Sequence, residues 1–165
     1  MTSSINKLLL RQFITCYDAN SWFVAAMNAV EGLTAEQAAW RPMVGEHSIW
    51  QTLEHLTFYN YAYFVRFGGE EYKYPVTDND ETFTDGGSDE EWGAAVRRFD
   101  AVMSNFRELI AAADESRFAE QVSAENIRTW AELISDINTH NAYHAGQILL
   151  IRKLQGSWNP PQGVS

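Results

Sequence analysis

Residues 134–151 read ISDINTHNAYHAGQILLI and place two histidines, His140 and His144, four positions apart. On an α-helix, residues four apart lie on the same face. The apolar residues that share this face are Leu133, Ile137, Ile148 and Ile151. Because an apolar stripe of this kind normally faces a protein core, the segment predicts a helix whose two histidines point inward. Inward imidazoles need polar partners, and their spacing is that of metal ligands.

The length and composition predict a single domain over residues 1–165. A chain of 165 residues can bury a core without disulfides or metals, and its 45% of hydrophobic residues is typical of globular proteins. The net charge of −10 argues against nucleic-acid partners and against an anionic membrane surface. No apolar run approaches the roughly 20 residues of a spanning helix. We therefore expect a soluble protein.

The N-terminal region and the single cysteine favour a cytoplasmic location. Residues 1–12 have no small-residue cleavage site and merge into an amphipathic pattern, so we interpret them as part of a helix and not as a leader. Cys16 cannot form an internal disulfide, which fits a reducing compartment. We expect Cys16 to be a small buried hydrophobe on the first helix.

Two helices are predicted in the first half of the chain. A loosely helical repeat of apolar residues runs from about Ser4 to Val30, and Gly32 follows where a helix C-cap is expected. Ser48 then provides an N-cap for a second helix over residues 49–67. In the connector between these two helices, residues 34–39 can form a short helical turn.

Residues 68–87 separate the second helix from the third and have no regular period. A segment of this length suits a crossover, a lid or a mobile loop, and we interpret it as a solvated loop. Capping boxes then open the last two helices, the second of which runs to about Gln155. The boxes are Ser88 with Glu91 and Thr129 with Glu132. We predict an all-α four-helix bundle with a long crossover between helices two and three.

A third histidine, His55, lies on the second predicted helix. Helical winding places it at the flank of an apolar stripe, so it faces either the bundle interior or its edge. Bundles commonly build metal sites from inward side chains on facing helices. Three neutral imidazoles leave coordination positions for water or substrate, as in catalytic sites. His47 precedes the N-cap in a loop, so we expect it to be exposed and exclude it from the site.

Three further residues are candidates for supporting the metal ligands. Ligating imidazoles usually donate their second N–H to a carboxylate, amide or carbonyl group. Asp136 precedes His140 by one turn and Gln147 follows His144 by three residues, so both are candidates for this role. Tyr59 is placed to approach the metal. We assign no general base, and the catalytic residues stay unknown.

These features together resemble the DinB-like (damage-inducible) family of helical bundles over nearly the whole chain. The residues that carry the resemblance are Ser48, His55, His140, His144, Gly146, Gln147 and the run LLIRKLQG at 149–156. The resemblance implies a four-helix bundle with a long crossover, a divalent metal held by His55, His140 and His144 at one end of the interior, and often a homodimer. A proline after the last helix is common in the family, and here Pro160 and Pro161 come slightly later.

The resemblance also implies metal-dependent chemistry on a small-molecule substrate. Relatives include S-transferases and maleylpyruvate isomerases that use low-molecular-weight thiols such as bacillithiol, mycothiol or glutathione. The expected cofactor is a divalent transition metal, with zinc or nickel as first choices and iron or manganese as alternatives. We therefore predict a thiol-dependent S-transferase or a related activity, with a small-molecule substrate and a homodimeric assembly.

Three alternatives stay open. The site could belong to a metal-dependent hydrolase, or to a non-catalytic dimeric bundle that binds a metal or ligand. Alternatively, no metal binds, and His140 and His144 are hydrogen-bonded in the core to groups such as Asp136 or Tyr63. A labile ligand that completes the coordination sphere beside the three histidines would favour catalysis.

Overall fold

The computed structural model describes residues 4–159, and Pro160 and Pro161 lie outside this range. Within it the chain forms seven α-helices and one 3₁₀ helix. The α-helices are α1 (Ser4–Tyr17), α2 (Ala26–Val30), α3 (Ala35–Ala39), α4 (Ile49–Phe67), α5 (Asp89–Ala112), α6 (Glu115–Ala119) and α7 (Trp130–Leu154), and the 3₁₀ helix is Asn79–Thr82. Over the same residues, the only β pairing is an isolated bridge between Gln121 and Thr129. The protein is an all-α bundle of four long helices, α1, α4, α5 and α7, with a long crossover between α4 and α5.

The cap residues set the helix starts where the sequence predicts them. The Ser48 hydroxyl accepts a hydrogen bond from the Gln51 backbone N–H, and the Gln51 side chain accepts one from the Ser48 N–H, so α4 opens with a capping box. Capping boxes also open α5 and α7, and one at Thr34 opens α3. Because each box satisfies two otherwise unpaired backbone N–H groups, these starts are locally encoded.

The first predicted helix is wrong in its length. It ends at Tyr17, not at Val30, and a non-helical segment precedes the short helix α2. Asn20 lies in this segment, and its side-chain oxygen accepts hydrogen bonds from the Ala25 backbone N–H at 2.9 Å and the Asn28 amide at 2.8 Å. Short polar side chains offer the backbone such alternatives to helical bonding, which explains the interruption.

The packing of α4 against α7 positions the candidate site. The helix α7 contacts α1, α2 and α4, while α5 packs against α4 and α1. Large side chains that fill the space between these helices include Phe13, Trp50, Leu53, Phe99, Phe106, Ile134 and Ile148. A buried amide pair joins α4 to α7: Asn60 donates to Asn141 at 2.8 Å, and Asn141 donates back at 3.0 Å. This reciprocal pair fixes the register of the two helices.

Two further expectations concern Cys16 and the membrane. Cys16 is buried on α1, as predicted, and its thiol donates to the backbone oxygen of Asn138. Burial raises the pKa of the Cys16 thiol to about 11, so the thiol stays protonated at neutral pH. Among residues 4–159, no helix combines the length and the apolar character needed to cross a membrane.

Candidate metal centre

The three histidines singled out from the sequence meet between α4 and α7. The Nε2 atom of His140 lies 3.1 Å from Nε2 of His55 and 3.1 Å from Nε2 of His144. One ring nitrogen from each of the three lies within 4.8 Å of the other two. The position of His55, which the sequence left between interior and edge, is interior, with 3% of its surface exposed.

These distances suit a shared transition-metal ion. Bonds of about 2.0–2.1 Å from a metal to nitrogen hold two nitrogens about 2.9 Å apart at a right angle and about 3.4 Å apart in a tetrahedron. The two 3.1 Å separations around His140 fall between these values. The donor set is therefore compatible with a divalent ion held by the three imidazoles.

A threonine from the crossover is a hydrogen-bond partner of His55. The Thr82 hydroxyl lies 2.7 Å from Nδ1 of His55 and 2.7 Å from the backbone oxygen of Asn79. Because a carbonyl oxygen can only accept, the hydroxyl donates its proton to Asn79, and its oxygen accepts from the Nδ1–H of His55. The Nε2 lone pair of His55 then points toward the other histidines, as metal binding requires.

Gln147 has the corresponding role for His144. Its side-chain oxygen lies 2.6 Å from Nδ1 of His144, and its amide nitrogen donates to the Tyr143 hydroxyl at 3.0 Å. The amide oxygen can only accept, so Nδ1 of His144 carries the proton and Nε2 keeps its lone pair. The sequence placed Gln147 as a partner of the histidine pair, and the structure gives it this contact.

The pKa values of the three histidines favour neutral imidazoles. Burial, followed by the neighbouring histidines, lowers the pKa of His55 to about 3. Burial and the proximity of His140 lower the pKa of His144 to about 4, although Gln147 opposes this shift. Burial also lowers the pKa of His140. Neutral imidazoles are the form that binds metals, so these ligands need little deprotonation near neutral pH.

The Phe83 ring stacks between the rings of His55 and His47. The Phe83 ring lies 4.1 Å from the His55 ring and 3.7 Å from the His47 ring, with both pairs nearly parallel. His47 is therefore half-buried against Phe83 instead of exposed, because the crossover folds back over the start of α4. His47 is not part of the three-histidine group.

A cavity of about 430 Å³ opens beside the three histidines. Aromatic and aliphatic side chains form much of its wall, and the polar groups include two asparagines and one ion pair. The other residues that line it are Tyr59, Asn60, Tyr63, Asn79, Phe83, Arg128, Leu133, Asp136 and Ile137. Its size and mixed lining suit a small organic molecule.

Of the other two residues predicted to support the metal ligands, Asp136 makes a different contact from the one expected, whereas Tyr59 lies against the histidine rings. Asp136 does not support His140: its carboxylate binds the Arg128 guanidinium at 2.7 Å, with 61% of the Asp136 side chain exposed. A cation and water stabilise an ionised carboxylate more than a half-buried neutral imidazole does. Tyr59 contacts the His55 and His140 rings edge-on, and its hydroxyl donates to the Asn79 side chain at 3.0 Å.

Sequence reasoning missed the contribution of residues 78–83. Thr82 and Phe83 contact His55 directly, although they lie in the segment interpreted as a solvated loop. One local signal was present, because Asp78 and Glu81 form a capping box on the 3₁₀ helix. That signal predicts a turn of helix but cannot show where the turn packs.

The fold and the site define a helical bundle whose two facing helices carry a three-histidine cluster beside a small-molecule cavity. A model of the DinB superfamily matches residues 24–148, and the chain belongs to this superfamily. The matched range contains His55, His140 and His144. Comparison with curated proteins gave no match, and comparison with solved structures gave none.

Proposed function

We propose that this protein is a metal-dependent enzyme that transfers a small electrophile to the sulfur of a low-molecular-weight thiol. The observation that carries the proposal is the convergence of three neutral imidazoles on the wall of a 430 Å³ cavity. A divalent ion bound by His55, His140 and His144, with zinc or nickel as the first choices, would lower the pKa of a coordinated thiol toward neutrality. Such thiols are kept reduced in the cytoplasm, where we place the activity.

The reaction needs no base from the protein once the thiol has lost its proton. The thiol sulfur forms a bond to an electrophilic carbon while the bond from that carbon to the leaving group breaks. The leaving group departs with the electron pair, and the proton that the thiol released passes to a basic leaving group or, when the leaving group is a halide, to the solvent. The charged residues that line the cavity, Arg128 and Asp136, are paired with each other, and we assign no general base among the cavity residues.

The other cavity residues act in binding and orientation. Burial raises the pKa of Tyr63 to about 12, and burial likewise raises the pKa of Tyr59. Both phenols therefore stay protonated at neutral pH. Because the Tyr59 hydroxyl already donates to Asn79, its oxygen is available to accept a hydrogen bond from a substrate. Phe83 and Ile137 provide apolar surface for the electrophile, and the Arg128–Asp136 pair provides a polar group on the cavity wall.

Cobalt substitution tests this proposal with a spectroscopic readout and an activity readout. We expect the cobalt-loaded protein to develop a sulfur-to-cobalt charge-transfer band when 2-mercaptoethanol is added. We expect the zinc-loaded protein to transfer the aryl group of a chromogenic aryl halide to the sulfur of a thiol, with release of halide. Both signals should disappear in a folded His144→Ala variant. Turnover of an ester without thiol would favour a hydrolase instead. A protein that shows neither a thiol band when loaded with cobalt nor turnover when loaded with zinc would contradict the enzymatic proposal.

A further inference from the structure

The 3₁₀ helix in the crossover between α4 and α5 contacts the candidate metal centre through one buried side chain, that of Thr82. We define residues 77–83 as the strap. Thr82 is 4% exposed, and its hydroxyl is shared between Nδ1 of His55 and the backbone oxygen of Asn79, at 2.7 Å each. Because this hydroxyl is buried and makes two short contacts, its proton points toward the Asn79 oxygen and its own oxygen accepts from His55. The strap is therefore structurally linked to His55.

The strap also has its own support, which keeps Thr82 in place. The Asp78 side chain accepts from the Asp80 backbone N–H at 3.1 Å, and Glu81 accepts from the Asp78 N–H at 2.9 Å. The Tyr59 hydroxyl on α4 donates to the Asn79 side chain at 3.0 Å. The Thr82 oxygen is therefore held by a turn that is capped at its start and tied to the helix carrying His55.

We propose that Thr82 is a positioning residue that holds His55 in the tautomer with a free Nε2 lone pair, and that metal binding and closure of the strap are thereby coupled. The inference rests on the proposed metal site and extends it to the crossover. Without the Thr82 oxygen, the Nδ1–H of His55 loses its acceptor, and the alternative tautomer places a proton on the atom that faces His140. A metal ion must then displace that proton before it can bind.

Coupling of this kind is reciprocal. If a closed strap raises the affinity of the site for metal by a given factor, bound metal must favour the closed strap by the same factor. Partners that orient metal-bound histidines typically change metal affinity by about 10–100-fold. The structure thus links two measurable quantities, zinc affinity and hydrogen exchange in the strap, through one hydroxyl group.

Thr82→Val tests the proposal because valine keeps the shape of threonine and removes the hydroxyl. We expect about 10–100-fold weaker zinc binding, measured by competition with a chromogenic chelator. Thr82→Ser should restore most of the affinity. Thr57→Val is the matched control, because the Thr57 hydroxyl on α4 donates to the backbone oxygen of Leu53 and Thr57 does not line the cavity. Unchanged zinc affinity in a folded Thr82→Val variant would overturn the proposal.

Hydrogen exchange provides the reciprocal measurement. Zinc should slow exchange of the Glu81 and Phe83 amides, which bond to backbone oxygens in the strap, in the wild type. In Thr82→Val, the factor by which zinc slows exchange of these two amides should be about 10–100-fold smaller than in the wild type. Equal protection in both proteins would show that the strap and the metal respond separately, which contradicts the coupling.

The tautomer can also be read in the wild type, so the test does not depend on the variants folding. Nitrogen-15 NMR of the metal-free protein distinguishes a protonated Nδ1 from a protonated Nε2. We expect His55 to carry its proton on Nδ1, and a proton on Nε2 would overturn the inference even where zinc binds normally. A wild type that binds no zinc would overturn the metal site and this inference together.

Discussion

Replacing Asn141 by alanine should weaken the interaction between α4 and α7 beside the histidines. The substitution removes the two amide hydrogen bonds to Asn60, of 2.8 and 3.0 Å, between side chains that are each 1% exposed. Each such bond contributes about 0.5–1.5 kcal/mol, so the free energy of unfolding should fall by about 1–3 kcal/mol. Asn60 keeps its 2.8 Å bond to the backbone oxygen of Leu56, which limits the loss.

A double-mutant cycle on the metal-free protein isolates this interaction. Urea unfolding of the wild type, Asn60→Ala, Asn141→Ala and the double variant should give a double-variant loss smaller than the sum of the single losses by about 1 kcal/mol or more. Asn105→Ala, at an exposed position of α5, is a control with little expected effect. If the losses in free energy of unfolding add to within about 0.3 kcal/mol, the amide pair does not stabilise the contact between the two helices, and the reasoning is refuted.

Two further predictions concern the histidines. Gln147→Leu should weaken zinc binding by about 10–100-fold, because His144 loses the acceptor for its Nδ1–H, whereas Gln147→Glu should retain most of the zinc affinity. Competition with a chelator measures the zinc affinity of both variants. A Gln147→Leu variant that binds zinc as tightly as the wild type would contradict the role of Gln147. The metal-free protein should lose stability as the pH falls from about 6.5 toward 4. The folded pKa values of His55 and His144, about 3 and about 4, lie below the unfolded value of 6.5, so the unfolded state binds more protons in this range. The free energy of unfolding should change by at most about 1.4 kcal/mol per pH unit for each histidine, and solvent screening at the cavity should reduce this value. Urea unfolding midpoints that do not change over this pH range would contradict the prediction.

The starts of the long helices after the first could be predicted because their signals are local. Ser48, Ser88 and Thr129 each make hydrogen bonds within three residues of the chain, and the structure begins α4, α5 and α7 directly after them. The interruption after Tyr17 was missed because it depends on an asparagine that bonds to residues five and eight positions away. Apolar periodicity carries no information about such a bond.

The histidine pair on α7 could be placed on one inward face from spacing alone, because helical geometry fixes that relation. Contacts with the crossover could not be predicted in this way. The approach of Thr82 to His55, across 27 residues, and the stacking of Phe83 between His47 and His55 depend on how an irregular segment folds back. Asp136 was misplaced for a related reason, since the position of Arg128 before α7 determines its partner.

The most direct test of the metal centre is elemental analysis of the purified, untagged protein after loading with zinc. The wild type should contain about one zinc per chain, and folded His55→Ala, His140→Ala and His144→Ala variants should each lose it. His47→Ala is the matched control and should keep the metal, because His47 stacks on Phe83 outside the three-histidine group. No bound metal in the wild type after loading with zinc, nickel or manganese, or retention of metal in the three variants, would contradict the account.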